Sequence, residues 1–229
     1  MDWSVVLQIV IGAILASAFV AFVEYSRKPR LGLKIADTED AVWTCRPADR
    51  ARWLRLKVEN KQLPRWVKWL SRNVASHCHG LITFYHLDGQ NVFGRSMQVR
   101  WFGPREPLPI LIRAEGLPPM QILDPVRLTP EIHRAVYSGE SEQLDVAVRF
   151  DNDAECYGWC DDNYRSDPLW RNPAWKLDQN RYLVKAEVIS AGERCVGLFR
   201  LINDGPVDAF RLEKALPEDY DKVNVGTRK

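Results

Sequence analysis

Soft metal ligands occur at two places in the chain. His77, Cys78 and His79 are consecutive, and Cys156 and Cys160 are separated by three residues. Imidazoles and thiolates of this kind can close a four-coordinate zinc site. In a strand, His77 and His79 share a face while Cys78 points the other way, which lets both imidazoles turn toward the loop thiols. The spacing suits zinc poorly, because structural sites usually separate paired cysteines by two residues. Buried thiols and surface imidazoles explain the same residues more simply, with Cys78 and Cys195 as small core side chains. A membrane-tethered hydrolase or metal-dependent enzyme would draw on this same set, His77, His79 and the Cys156/Cys160 loop.

Three further patterns bear on chemistry. Asp151, Asn152, Asp153 and Glu155, with Asp161, Asp162 and Asn163, gather hard oxygen ligands of the type that hold calcium. They lack the glycine and the terminal glutamate of an EF-hand, and a solvated turn is the simpler expectation. Cys156 and His133 are the residue types of a nucleophile pair, with nothing beyond type in their favour. No phosphate-cradling glycine loop, nucleophile elbow or paired-histidine metalloprotease motif is present, and no cofactor is expected. Tyr157, Trp159, Tyr164, Trp170 and Trp175 crowd one region with Arg165 and Arg171. Aromatics beside arginine are typical of binding hot spots. Rings in a connection of thirty residues can equally hold that connection to the domain, since long structureless loops are uncommon.

The element that fixes the setting of these residues is Val5–Val23, nineteen residues without a charge. As a helix it spans roughly 28 Å, about the thickness of a bilayer's hydrocarbon core. Val5, Ile9, Ile14, Phe19 and Val23 are its lipid-facing candidates, and Trp3 and Tyr25 suit the two interfaces. A cleaved signal peptide would want a basic start, whereas the chain opens Met1-Asp2-Trp3-Ser4. Arg27, Lys28 and Arg30 follow the apolar run, so the positive-inside rule predicts an inner-membrane protein with its N-terminus outside and the rest cytoplasmic. Five cysteines without a secreted-type framework agree, and are expected as reduced thiols.

Behind the anchor the chain reads as strands. Leu31–Ile35, Trp53–Glu59, His77–Leu87, Met97–Phe102, Leu108–Arg113, Leu144–Phe150, Arg181–Ile189 and Arg194–Ile202 are the candidates, separated by turn signals such as Asp88-Gly89 and Asn203-Asp-Gly-Pro206. Leu63, Trp66, Val67 and Leu70 have the spacing of a helix face, with Pro64 at its start. Lys61, Arg65, Lys68 and Arg72 make that segment basic. Arg65, Trp66, Lys68, Trp69 and Leu70 are accordingly candidates for lying in a membrane interface, against the alternative of an excursion that caps the domain's own core. Helical turns are also expected at Thr129–Tyr137, after an N-cap and a Pro, and around Ala209–Leu216. The 32 basic and 30 acidic residues leave a net charge of +2, which gives no reason to propose nucleic acid as a partner.

Leu54–Asn60, a strand ending in Val-x-Asn, followed by Ala75–Phe84, resembles a pattern of immunoglobulin-like bacterial sandwich domains. Trp175–Val188, with Tyr182 opening a strand, resembles their late central strand. The chain as a whole is similar to bacterial single-pass membrane proteins that carry such a domain. The resemblance implies a fold and a prokaryotic setting, with no catalytic residues to carry over. The expected organisation is an anchor over 1–26, a mainly β, antiparallel immunoglobulin-like sandwich with long inserts over 27–208, and a helical piece with a polar tail over 209–229. The expected role is a non-enzymatic binding or scaffold module with a protein partner, held to the bilayer by its N-terminal helix. An extracytoplasmic adhesion-type domain is the alternative if the cysteines pair.

Overall fold

A computed structural model describes residues 3–42, 50–67, 69–102, 110–112, 120–122, 132–166, 170–191 and 193–223. The apolar run forms one helix, α1 (Trp3–Arg27), none of which is buried against the rest of the chain. An 18-residue window in it reaches a mean hydropathy of 2.6, long and apolar enough to cross a bilayer.

The remaining described chain is mainly strand. In order these are β1 (Leu31–Ile35), β2 (Glu39–Val42), β3 (Arg50–Asn60), β4 (Ala75–Tyr85), β5 (Met97–Gln98), β6 (Ile110–Ile112), β7 (Met120–Ile122), β8 (Arg134–Val136), β9 (Ser141–Phe150), β10 (Cys156–Gly158), β11 (Lys176–Leu177), β12 (Arg181–Ser190), β13 (Glu193–Ile202) and β14 (Arg211–Lys214). One sheet runs β1-β3-β9-β10-β11, with β2 beside the start of β3. The other runs β14-β13-β12-β4-β5, with β8 beside the start of β4, while β6 and β7 form a separate ribbon. Every ladder is antiparallel. Residues 97–101 tie the sheets together: Met97 and Gln98 pair with β4, then Val99 bridges Cys160 and Trp101 bridges Leu144.

The core between the sheets takes Leu54, Leu56 and Val58 from one and Ile82, Phe84, Val184 and Val188 from the other. This is the inward face that period-2 alternation predicts for β3. On β9 the alternation breaks. The β3–β9 register shifts between Leu54 and Arg55, where Leu54 pairs with Ala147 and Arg55 with Asp145, leaving Val146 as the extra residue of a bulge. One extra residue sends later side chains to the opposite face. Leu144 and Val146 therefore join the inter-sheet core, whereas Val148 and Phe150 join a second cluster with Trp53. Arg55 and Asp145, buried beside the bulge, face each other with Nε at 2.7 Å from Oδ1, and the guanidinium stacks 3.9 Å from the Phe102 ring.

Several expectations are corrected. The segment after Asn60 is not a helix; it contains a single 3₁₀ turn, Arg65–Val67. Arg134–Val136 is strand rather than helix because it completes the edge of β4. Arg211–Lys214 is strand too, pairing with β13, and Val223 packs beneath Leu183 and Leu198, so these residues belong to the domain rather than to a tail. The 151–180 connection is not an open loop: it supplies β10, β11 and a short helix, α2 (Asp161–Tyr164). The Asp88-Gly89 turn forms as expected, and Gly89, at φ +90°, lets Lys222 O approach where a side chain would collide.

Breaking the Arg55–Asp145 pair tests the bulge's electrostatics. Arg55→Met strands a buried carboxylate and should cost about 3–5 kcal/mol in urea unfolding, whereas Arg55→Met with Asp145→Leu should recover most of that loss. Equal losses in both variants would contradict this account.

Candidate functional site

The exit of α1, the β3–β4 connection and the β8–β9 turn meet at Asn60, which has no solvent exposure. Its Oδ1 accepts from Arg30 N–H at 3.1 Å. Its Nδ2 donates to Asn73 O at 3.0 Å and Val136 O at 3.2 Å. Its own backbone N–H donates to Glu140 O, and its carbonyl accepts from Gly139 N–H. A buried amide is costly unless satisfied, and this one is used at both ends.

Around it the carbonyl of the last helical residue and those of the link just beyond it find donors in the β3–β4 connection. Asn73 N–H donates to Arg27 O at 2.7 Å and Lys61 N–H to Arg30 O at 2.9 Å. Arg72, buried, donates from Nη1 to Lys28 O at 2.5 Å. A cation at a helix C-terminus also complements the helix dipole, although burial lowers the Arg72 pKa. The end of α1 and the link that follows it are thus tied to the sandwich.

The same connection carries two large rings into the open. Trp66 is 74% exposed and Trp69 66%, while Val67 between them is buried. Trp69 reaches back along α1 and stacks on Phe19, with 6.4 Å between ring centroids and 3° between planes. Val74 and Tyr137, each next to a residue that Asn60 binds, are exposed as well. Lys28, Arg30, Lys61 and Arg65 are exposed on this end, with Glu24 and Glu140 as its exposed acids. Of the interface candidates, Leu70 is half-buried, and Lys68 lies outside the described residues.

The other sequence candidates fall elsewhere. Cys156 and Cys160 sit in the core, where burial pushes both thiols up, Cys160 to about 11. His77 and His79 belong to β4 in the opposite sheet and do not meet them; their rings lie 6.2 and 5.9 Å from that of His133, centroid to centroid. His77 has φ 51° in the irregular start of β4, so simple alternation does not hold there. Cys78, Cys156, Cys160 and Cys195 are free thiols; Cys45 lies outside the described residues. Among the described residues no group of three or more His, Cys, Asp or Glu could hold a metal ion. The acidic loop is answered by bases: Asp151 pairs with Arg50, Asp153 with Arg171, Glu155 with Lys176, and Asp161 with Arg100 and Arg165. Carboxylates so engaged do not converge on a cation.

The aromatic binding surface is also corrected. Tyr157, Trp159, Tyr164, Trp170 and Trp175 are all buried. Trp53, Trp159 and Trp170 pack edge to face with centroids 5.3–5.9 Å apart. Arg171 stacks 4.0 Å over Phe150. Arg165 is half-exposed and pairs with Asp161 at 2.9 Å. Arginine beside aromatics builds the interior here through cation–π stacking.

The sequence marked Asn60 only as the end of a Val-x-Asn strand and gave it no role in joining the helix to the domain. That role has no local signal, because its side-chain contacts come from residues 13 to 76 positions away. Comparison with protein-family models, curated proteins and solved structures finds no match.

Removing the amide tests the hub. Asn60→Ala should lower unfolding stability by about 2–4 kcal/mol, since each buried group left unpaired costs about 1–3 kcal/mol. Asn60→Asp should not restore it, because a carboxylate cannot donate to Asn73 and Val136. A loss below about 0.5 kcal/mol, the scale of an ordinary surface change, would contradict the role given to Asn60.

Proposed function

We propose that the chain is a single-pass membrane protein whose immunoglobulin-like sandwich works as a non-enzymatic binding or scaffold module in the cytoplasm. The observation that carries this reading is the union of a fully exposed apolar helix with a sandwich that caps its end. A cleaved leader has no need of such contacts. Here Arg27, Lys28 and Arg30 each bond to the domain, and Phe19 holds a ring of the β3–β4 connection. These contacts support retention of the helix as an anchor.

Arg27, Lys28 and Arg30 at the domain side of the helix support a cytoplasmic sandwich by the positive-inside rule. Buried, unpaired thiols are consistent with a reducing compartment. Held this way, the sandwich turns its far end away from the bilayer. That end carries a mesh of charges in which Arg50 and Arg52 share Asp40 and Asp208, and Arg50 also holds Asp151. A polar, cross-linked surface of this kind suits contact with a protein partner. Its bacterial setting follows only from the resemblance of the sequence.

Orientation is checked by C-terminal fusions in a bacterial host. A fluorescent protein fused there should emit, and alkaline phosphatase should be inactive. Active phosphatase with a dark fluorescent fusion would place the sandwich outside and favour the adhesion-type domain.

A further inference from the structure

Four exposed hydrophobic residues outside α1 gather at one end of the sandwich: Trp66, Trp69, Val74 and Tyr137. Solvent-exposed tryptophans are costly unless something covers them, and rings on a basic surface are typical of membrane-interface contacts. The position of Trp69 gives the depth. Phe19 lies four residues before Val23, the last residue of the uncharged run, so at the helical rise it sits about 6 Å inside the hydrocarbon boundary. A ring stacked on Phe19 reaches the same level. That matches the depth of roughly 5–10 Å to which interfacial apolar groups bury.

We propose that this end of the sandwich is a second membrane contact, in which the β3–β4 connection dips into the leaflet beside the anchor. Trp69 enters the acyl boundary against Phe19, while Trp66, Val74 and Tyr137 rest among the headgroups. Lys28, Arg30, Lys61 and Arg65 face the lipid phosphates, so the occupant is an anionic phospholipid surface. The acids at this end are Glu24, which pairs with Arg27, the exposed Glu140, and the half-buried Glu59 and Glu193, of which Glu59 pairs with Lys34 and Glu193 acts on Arg72. Asn60, Arg72 and Asn73 hold the dip in register with the helix. The sandwich then lies against the bilayer in one orientation instead of swinging on a tether. This inference rests on the anchor reading.

The test places an environment-sensitive label at one position at a time in the full chain, with Cys45→Ser and Cys195→Ala leaving only the buried thiols Cys78, Cys156 and Cys160. Trp69→Cys, Ile14→Cys in the anchor and Asp204→Cys at the far end are reconstituted in phosphatidylcholine–phosphatidylglycerol vesicles. The expected result is blue-shifted emission at Trp69→Cys, quenched by shallow-brominated lipids and protected from aqueous iodide, with Ile14→Cys likewise protected but quenched best by deep-brominated lipids, while Asp204→Cys is quenched by iodide and reads water. Subtracting the fluorescence of Trp69→Phe from that of the unlabelled protein should give the same bromolipid quenching, so the outcome does not depend on one variant folding. If Trp69 reads water while Ile14 is quenched, the dip is overturned and the anchor stands. If Ile14 also reads water, the anchor reading falls and takes the dip with it.

Discussion

One buried side chain amide sets how the halves of this molecule meet. Asn60 ends β3, yet it binds the helix exit, the β3–β4 connection and the end of β8 at once. A helix C-terminus leaves four carbonyls without partners inside the helix. A short link to a domain would normally leave them to water. Here the connection beyond Asn60 supplies a donor to Arg27 O and two more to the carbonyls of Lys28 and Arg30 in the link, so helix, link and sandwich form a continuous hydrogen-bonded unit. Trp69 can lie along Phe19 only because that unit fixes where the connection runs.

The two ends of the sandwich are built from opposite materials. Near the helix they are exposed rings beside exposed Lys and Arg side chains. Far from it, arginines and aspartates share one another's charge across several connections. Exposed ion pairs contribute little stability one by one, so the mesh is better understood as the surface chemistry of that end.

The long strands and the helix were legible because each carries its own period. Arg181–Ser190 and Glu193–Ile202 are strands within a residue of the spans expected, and the apolar run is one helix. What was not legible depends on single residues that shift a pattern or on contacts between distant segments. The bulge at Val146 moves Val148 and Phe150 to the outer face, where Tyr157, Trp159, Tyr164 and Trp170 cover them. Those covering residues contain the rings and arginines of a recognition surface, and composition cannot tell a surface from a second core. The Leu63–Leu70 helix failed for a similar reason. Its period was right, but Asn73 is taken by the Arg27 carbonyl and Arg72 by that of Lys28, and among the described residues only Arg65–Val67 completes a turn. Asn60 itself has no periodic signature.

The central claim, that anchor and sandwich are one unit, is most directly tested by native-state amide exchange on the unmodified full chain in lipid nanodiscs. The amides of Arg30, Lys61, Asn73 and Gly139 should exchange as slowly as those of β3 and β9, opening only with the whole sandwich. Fast exchange at these four amides, with β3 and β9 still protected, would mean a loose tether and contradict the account.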